Sequence, residues 1–125
     1  MTAQDLVREF HEKFGVEVAD RPGVPSDGVR DLRLDLIQEE YLELCRAAYK
    51  SDLVGIADAL GDLLYVTYGM ALAYGIDMEP VVAEIHRSNM TKDGGGTRAD
   101  GKILKGPDFK LPDLVTVLRT QGADL

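Results

Sequence analysis

Residues 53–74 read LVGIADALGDLLYVTYGMALAY, and the fold turns on this stretch. Its only charged side chains are Asp58 and Asp62. The run is too long for a strand, so it predicts a helix over 51–74, with Ser51 as N-cap and Gly75 as its stop. Asp58 and Asp62 stand four apart and therefore share one face. A helix that is apolar nearly all round belongs inside a bundle. The charge-free part, 63–76, has 14 residues, short of the roughly 20 that a membrane span needs.

Upstream, residues 28–49 predict a second helix, which carries Glu39-Glu40-Tyr41-Leu42-Glu43. At 100° per residue Glu40 and Glu43 flank the stripe that holds Leu36 and Ala47, the apolar face of that helix. The link Lys50-Ser51 is too short for anything but an antiparallel pair. Glu43 lies eight residues before Ser51 and Asp58 seven after it; Glu40 and Asp62 each lie eleven away. At a rise of about 1.5 Å per residue these rows are level. Carboxylates gathered on facing apolar surfaces repel one another and lose hydration. A divalent cation held by oxygen ligands offsets both, with Mg²⁺ the first choice and Mn²⁺ the alternative.

The flanks complete an all-α class, a four-helix-bundle-like core with an irregular Gly/Lys-rich C-terminal segment. Thr2 caps a helix over 3–14, with Leu6, Phe10 and Phe14 on one face and Gly15 as its stop. Pro22, Gly23, Pro25 and Gly28 make 16–28 a loop. Asp77 caps a fourth helix that ends near Asn89, with Pro80 in its first turn. Residues 90–112, with Gly94-Gly95-Gly96 and Gly106-Pro107, are irregular apart from a short extension around 102–104. A last short helix covers 113–120.

At 125 residues the chain is expected to be a single domain, 1–125. A net charge of −8 argues against binding a DNA or RNA duplex or an acidic membrane surface. The polar start, Met-Thr-Ala-Gln-Asp, lacks the apolar core of a signal peptide. One cysteine, Cys45, cannot close an internal disulfide, which suits the cytoplasm.

Two superficial motifs fail. Residues 96–103 nearly spell a phosphate-binding P-loop, but lack the final Ser/Thr and the flanking strand and helix. A ferritin-like di-iron site needs Glu three residues before His. Ala83 precedes His86 at that spacing and Arg8 precedes His11. His11 is expected in the core.

The acidic pattern resembles the MazG-type, all-α nucleoside triphosphate pyrophosphohydrolases, whose signature is Glu-Glu-x-x-Glu followed by Glu-x-x-Asp. Glu39-Glu40-Tyr41-Leu42-Glu43 matches the first half. In Asp58-Ala59-Leu60-Gly61-Asp62 the terminal Asp62 matches, while Ala59 replaces the glutamate and Asp58 stands one residue earlier. The likeness runs over about residues 30–113, through Tyr65-Val66-x-Tyr68-Gly69, Gly75-Ile76-Asp77, Ser88-Asn89-Met90-Thr91-Lys92 and Gly101-Lys102-x-Leu104-Lys105-Gly106-Pro107, and is similar to a phosphoribosyl-ATP pyrophosphatase-like branch.

The resemblance implies attack at the α-phosphorus of a nucleoside triphosphate, releasing a monophosphate and pyrophosphate. It implies Glu40, Glu43 and Asp62 as metal ligands, with Asp58 and Glu39 as further ligands, or Glu39 as the base. Asn89 and Lys92, with Lys105, would touch the substrate. Between Arg87 and Lys110 six basic residues stand against three acids, a locally basic segment in an acidic chain. A dimer or tetramer is implied. Two rivals stand beside this reading. One is a catalytically weak, degenerate nucleotide- or metal-binding helical dimer, motivated by Ala59. The other is a structural helical module.

Overall fold

The reversal at residues 50–52 sets the central helix pair. Lys50 closes the first long helix, and Ser51 turns the chain with a positive φ of 53°. Asp52 then caps the second, its side chain accepting from the Gly55 N–H at 3.1 Å. The cap thus falls one residue later than Ser51, because so tight a reversal needs a left-handed residue between the helices.

The structure, a computed structural model, describes all 125 residues. It is all-α: α1 (Ala3–Phe14), α2 (Asp27–Tyr49), α3 (Leu53–Ala73), α4 (Met78–Asn89) and α5 (Leu114–Thr120). Extended structure amounts to one antiparallel bridge, Thr97 with Ile103. The chain divides into two compact units, Met1–Asp77 and Met78–Leu125.

In the first unit α1 and α2 both pack on α3. Its apolar core is small-residue rich: Val7, Ala59, Ala71, Leu72 and Ala73. Small side chains let helix backbones approach closely. Thr2 and Asp5 form a reciprocal capping box on α1, and Gly15 ends it at φ 67°. The loop after α1 is strapped to the end of α3: Ala19 N–H donates to Leu72 O at 2.9 Å and Gly23 N–H to Tyr74 O at 3.0 Å.

The inward face of α1 differs from the expected one. Gln4, Val7 and His11 are buried, whereas Leu6, Phe10 and Phe14 are exposed in the single chain. Hydrogen bonds decide this: Gln4 Nε2 donates to Ile76 O at 2.7 Å, and His11 Nδ1 meets Glu17 O at 2.9 Å. Polar groups so satisfied can be buried at little cost.

By length and composition α3 could cross a membrane, counting its two aspartates. Asp62 faces carboxylates of α2, an arrangement that a lipid core penalises by several kcal/mol per charge. Only 11% of the apolar window of α3 is buried within the chain.

In the second unit α4 packs with α5. Ser88 Oγ donates to Lys110 O at 2.7 Å, and Lys110 N–H donates to Thr91 Oγ1 at 2.9 Å. Arg98 pairs with Asp100 across the turn that brings Thr97 to Ile103. Residues 96–103 therefore form a tight reversal, not a P-loop.

Candidate functional site

The antiparallel register of α2 and α3 builds the acidic centre. A Cβ on Gly55 would lie 3.3 Å from Ala47 Cβ, and one on Gly69 would lie 2.6 Å from Arg33 Nη1. Glu40 and Asp62 meet between these two contacts. In all three pairs the residue numbers add to 102, so one register runs along the seam. Glu40 and Glu43 lie on the stripe of α2 that includes Arg33 and Ala47, with steps of three, four or seven.

Glu40, Glu43 and Asp62 each offer an oxygen, and these atoms lie within 4.8 Å of one another. Glu40 Oε2 is buried with no hydrogen-bond donor. Burial pushes the Glu40 carboxyl up, and the charges of Glu43, Asp62 and Glu39 push the same way. Asp62 is raised by burial and then by Asp58 and Glu43. Carboxylates held this close, with an orphaned oxygen, are set to accept a cation. The donor set suits a hard divalent ion.

The remaining sequence candidates are placed as follows. Glu39 and Asp58 are exposed and stand outside that cluster. The register that pairs Glu40 with Asp62 puts Ala59 opposite Glu43, and Ala59 is 3% exposed. Asn89 and Lys92 lie together in the second unit, on an open cleft of about 320 Å³ that Asp93 and Thr97 also line. Lys105 lies outside that lining, its ammonium 5.0 Å from the Phe109 ring centroid.

Sequence reasoning missed Arg33. The residue is 7% exposed and its Nε has no hydrogen-bond partner. Burial pulls its pKa down, partly countered by Glu17. His11 Nε2 lies 3.2 Å from the same point beside Gly69 that Arg33 approaches. Because a carbonyl only accepts, His11 Nδ1 carries the proton that Glu17 O receives. The signal was present: Arg33 is seven residues before Glu40, on the same stripe.

The hairpin of long helices with inward carboxylates fits the MazG-like, all-α superfamily. The chain belongs to the phosphoribosyl-ATP pyrophosphohydrolase family, whose sequence model matches residues 7–89. It is also 52% identical over 48 residues to an uncharacterised protein of Acanthamoeba polyphaga mimivirus. That match covers 38% of this chain and 19% of the viral protein.

Proposed function

We propose that this chain is a Mg²⁺-dependent nucleotide pyrophosphohydrolase, with Mn²⁺ as an alternative ion. It splits a nucleoside or deoxynucleoside triphosphate, including non-canonical or phosphoribosyl-ATP-like ones, to the monophosphate and pyrophosphate. The convergence of Glu40, Glu43 and Asp62, with a buried oxygen left unbonded, carries the reading.

When bound, the cation supplies positive charge for the phosphates and lowers the pKa of an attacking water. Glu40, Glu43 and Asp62 hold it. Glu39, exposed beside Glu40, receives the proton of the water as general base. Asn89 and Lys92 bind the nucleotide, and Lys105 adds charge, so that developing phosphate charge meets more than the metal. No covalent nucleophile is required.

Pyrophosphate release across a panel of nucleotides, with and without Mg²⁺ or Mn²⁺, tests this. Metal-dependent release from at least one triphosphate is expected; none from any would end the reading. A catalytically weak, metal- and nucleotide-binding helical protein is the second reading, favoured by Ala59 at the seam. Binding without turnover in the same panel would select it.

We also propose that the protein acts as a dimer or tetramer in the cytoplasm. Leu53, Val54 and Leu64 are 78%, 80% and 58% exposed on α3, apolar area that a second copy would cover. Light scattering is expected to give at least twice the 13.7 kDa chain mass. A 13.7 kDa species at micromolar concentration would remove the proposal.

A further inference from the structure

We infer that Arg33 reads the base of the nucleotide: its buried guanidinium donates to a carbonyl oxygen on the base edge, so the chain favours oxo-bases over adenine. The inference rests on the nucleotide reading above and names its substrate class.

Arg33 is 7% exposed, and its guanidinium has neither a hydrogen-bond nor an ion-pair partner within the chain. Glu17 acts on it only through space. A buried cation without a partner is strongly disfavoured, and an acceptor from outside the chain removes the penalty. His11 does not cancel the charge. Its Nδ1 gives its proton to Glu17 O, so the ring beside Arg33 at Gly69 is neutral and positions the guanidinium by packing.

The place of Arg33 suits a base. Arg33 precedes Glu40 by seven residues and Gly69 follows Asp62 by seven, so the guanidinium lies about 10 Å along the seam from the carboxylates. A nucleotide with its phosphates at the carboxylates spans that gap with its sugar and brings the base edge to Arg33. Tyr65, three residues after Asp62 and four before Gly69, stands between them on the same side of α3. Its ring is exposed, and Phe10 braces it edge-on with centroids 5.7 Å apart. An exposed aromatic face stacks a flat base and offers nothing to a phosphate. A guanidinium only donates, so it selects edges that accept. Uracil, thymine, cytosine, guanine and hypoxanthine each carry a carbonyl oxygen; adenine presents ring nitrogens beside an amino donor.

The test uses the full chain and Arg33→Met. Calorimetry reads binding of nucleoside monophosphates without metal, and kinetics read kcat/KM for the triphosphates. The unaltered chain should prefer an oxo-base to adenine by about 10- to 150-fold, the scale of a hydrogen bond to a charged group. Arg33→Met should abolish the preference by weakening oxo-bases alone, and should melt no lower than the parent, because a buried unpaired charge is gone. Equal loss for every base and for inorganic pyrophosphate would make Arg33 a phosphate contact and overturn the inference. Equal loss with a lower Tm would make it structural, and no base preference, or one that Arg33→Met retains, overturns the inference too. If Arg33→Met does not fold, the best nucleotide is compared with its analogue in which hydrogen replaces the carbonyl oxygen, and equal binding decides against Arg33. Base preference among monophosphates with no triphosphate hydrolysed would sink the pyrophosphohydrolase reading and leave this one standing; hydrolysis without base preference would do the reverse.

Discussion

Arg33 Nη1 lies against the bare backbone of Gly69, so close that a methyl there would come within 2.6 Å of it. His11 Nε2 is 3.2 Å from the same point. Gly69 in α3 thus admits a buried guanidinium from α2 and an imidazole from α1. The contact joins all three helices of the first unit.

Gly69→Ala should therefore destabilise the protein. In an open helix the change would gain about 1 kcal/mol of propensity. Here it overpacks a site whose neighbours are 7% and 2% exposed, at a cost of about 1–3 kcal/mol or more. Chemical denaturation measures the balance. A stabilised variant would mean that Arg33 moves aside freely.

Glu40→Gln should leave the metal-free chain at least as stable at neutral pH. It replaces a half-buried carboxylate, one oxygen of which has no donor, by a neutral amide. Asp62→Asn should act the same way. Both should weaken Mn²⁺ binding by at least about 10- to 100-fold, the scale seen for merely supporting residues at metal sites. Turnover should fall with it. Thermal shifts with and without Mn²⁺ separate the two effects, and full activity in both variants would end the metal-site assignment.

His11 gives the stability a defined acid limb. Burial holds its pKa below the ordinary 6.5, the Glu17 carbonyl bond opposes that, and the Arg33 charge adds to the depression. A depressed pKa means that the unfolded chain binds the proton first. The contribution of His11 is present above 6.5 and is lost as pH falls through the lower folded value. The facing charge is Arg33 from α2; Glu17 of the loop presents its backbone carbonyl, and Gly69 of α3 brings no charge. His11→Gln should flatten this limb of a Tm–pH profile. An unchanged slope between pH 6.5 and 5 would mean that the ring titrates without strain.

Lys92→Ala should raise KM, lower kcat, or do both, with Tm unchanged. Lys92 lines an exposed cleft with Asn89 and makes no ion pair that the fold depends on. Steady-state kinetics on the best nucleotide, with a melting curve, check this. Unchanged kinetics would move the phosphate contact elsewhere.

The sequence by itself determined the all-α class and the helices to within a residue or two, and it set Glu40, Glu43, Asp58 and Asp62 on level rows of one helix pair. Caps, glycine stops and the spacing of charged residues act within one or two turns, so they are readable locally. It also located the hairpin, since so short a link allows only an antiparallel pair. What it left open depended on contacts between distant residues. The expected pairing of Asp58 with Glu43 gave way to Ala59, because a shift of one residue turns a side chain by about 100°. That phase is set by packing along the whole seam, from Ala47 against Gly55 to Arg33 against Gly69. The inward face of α1 was decided the same way. Gln4 and His11 are buried because Ile76 and Glu17, distant in sequence or beyond the helix end, supply carbonyls for them. Hydrophobic spacing marks an apolar stripe, but only the fold decides which stripe finds a partner.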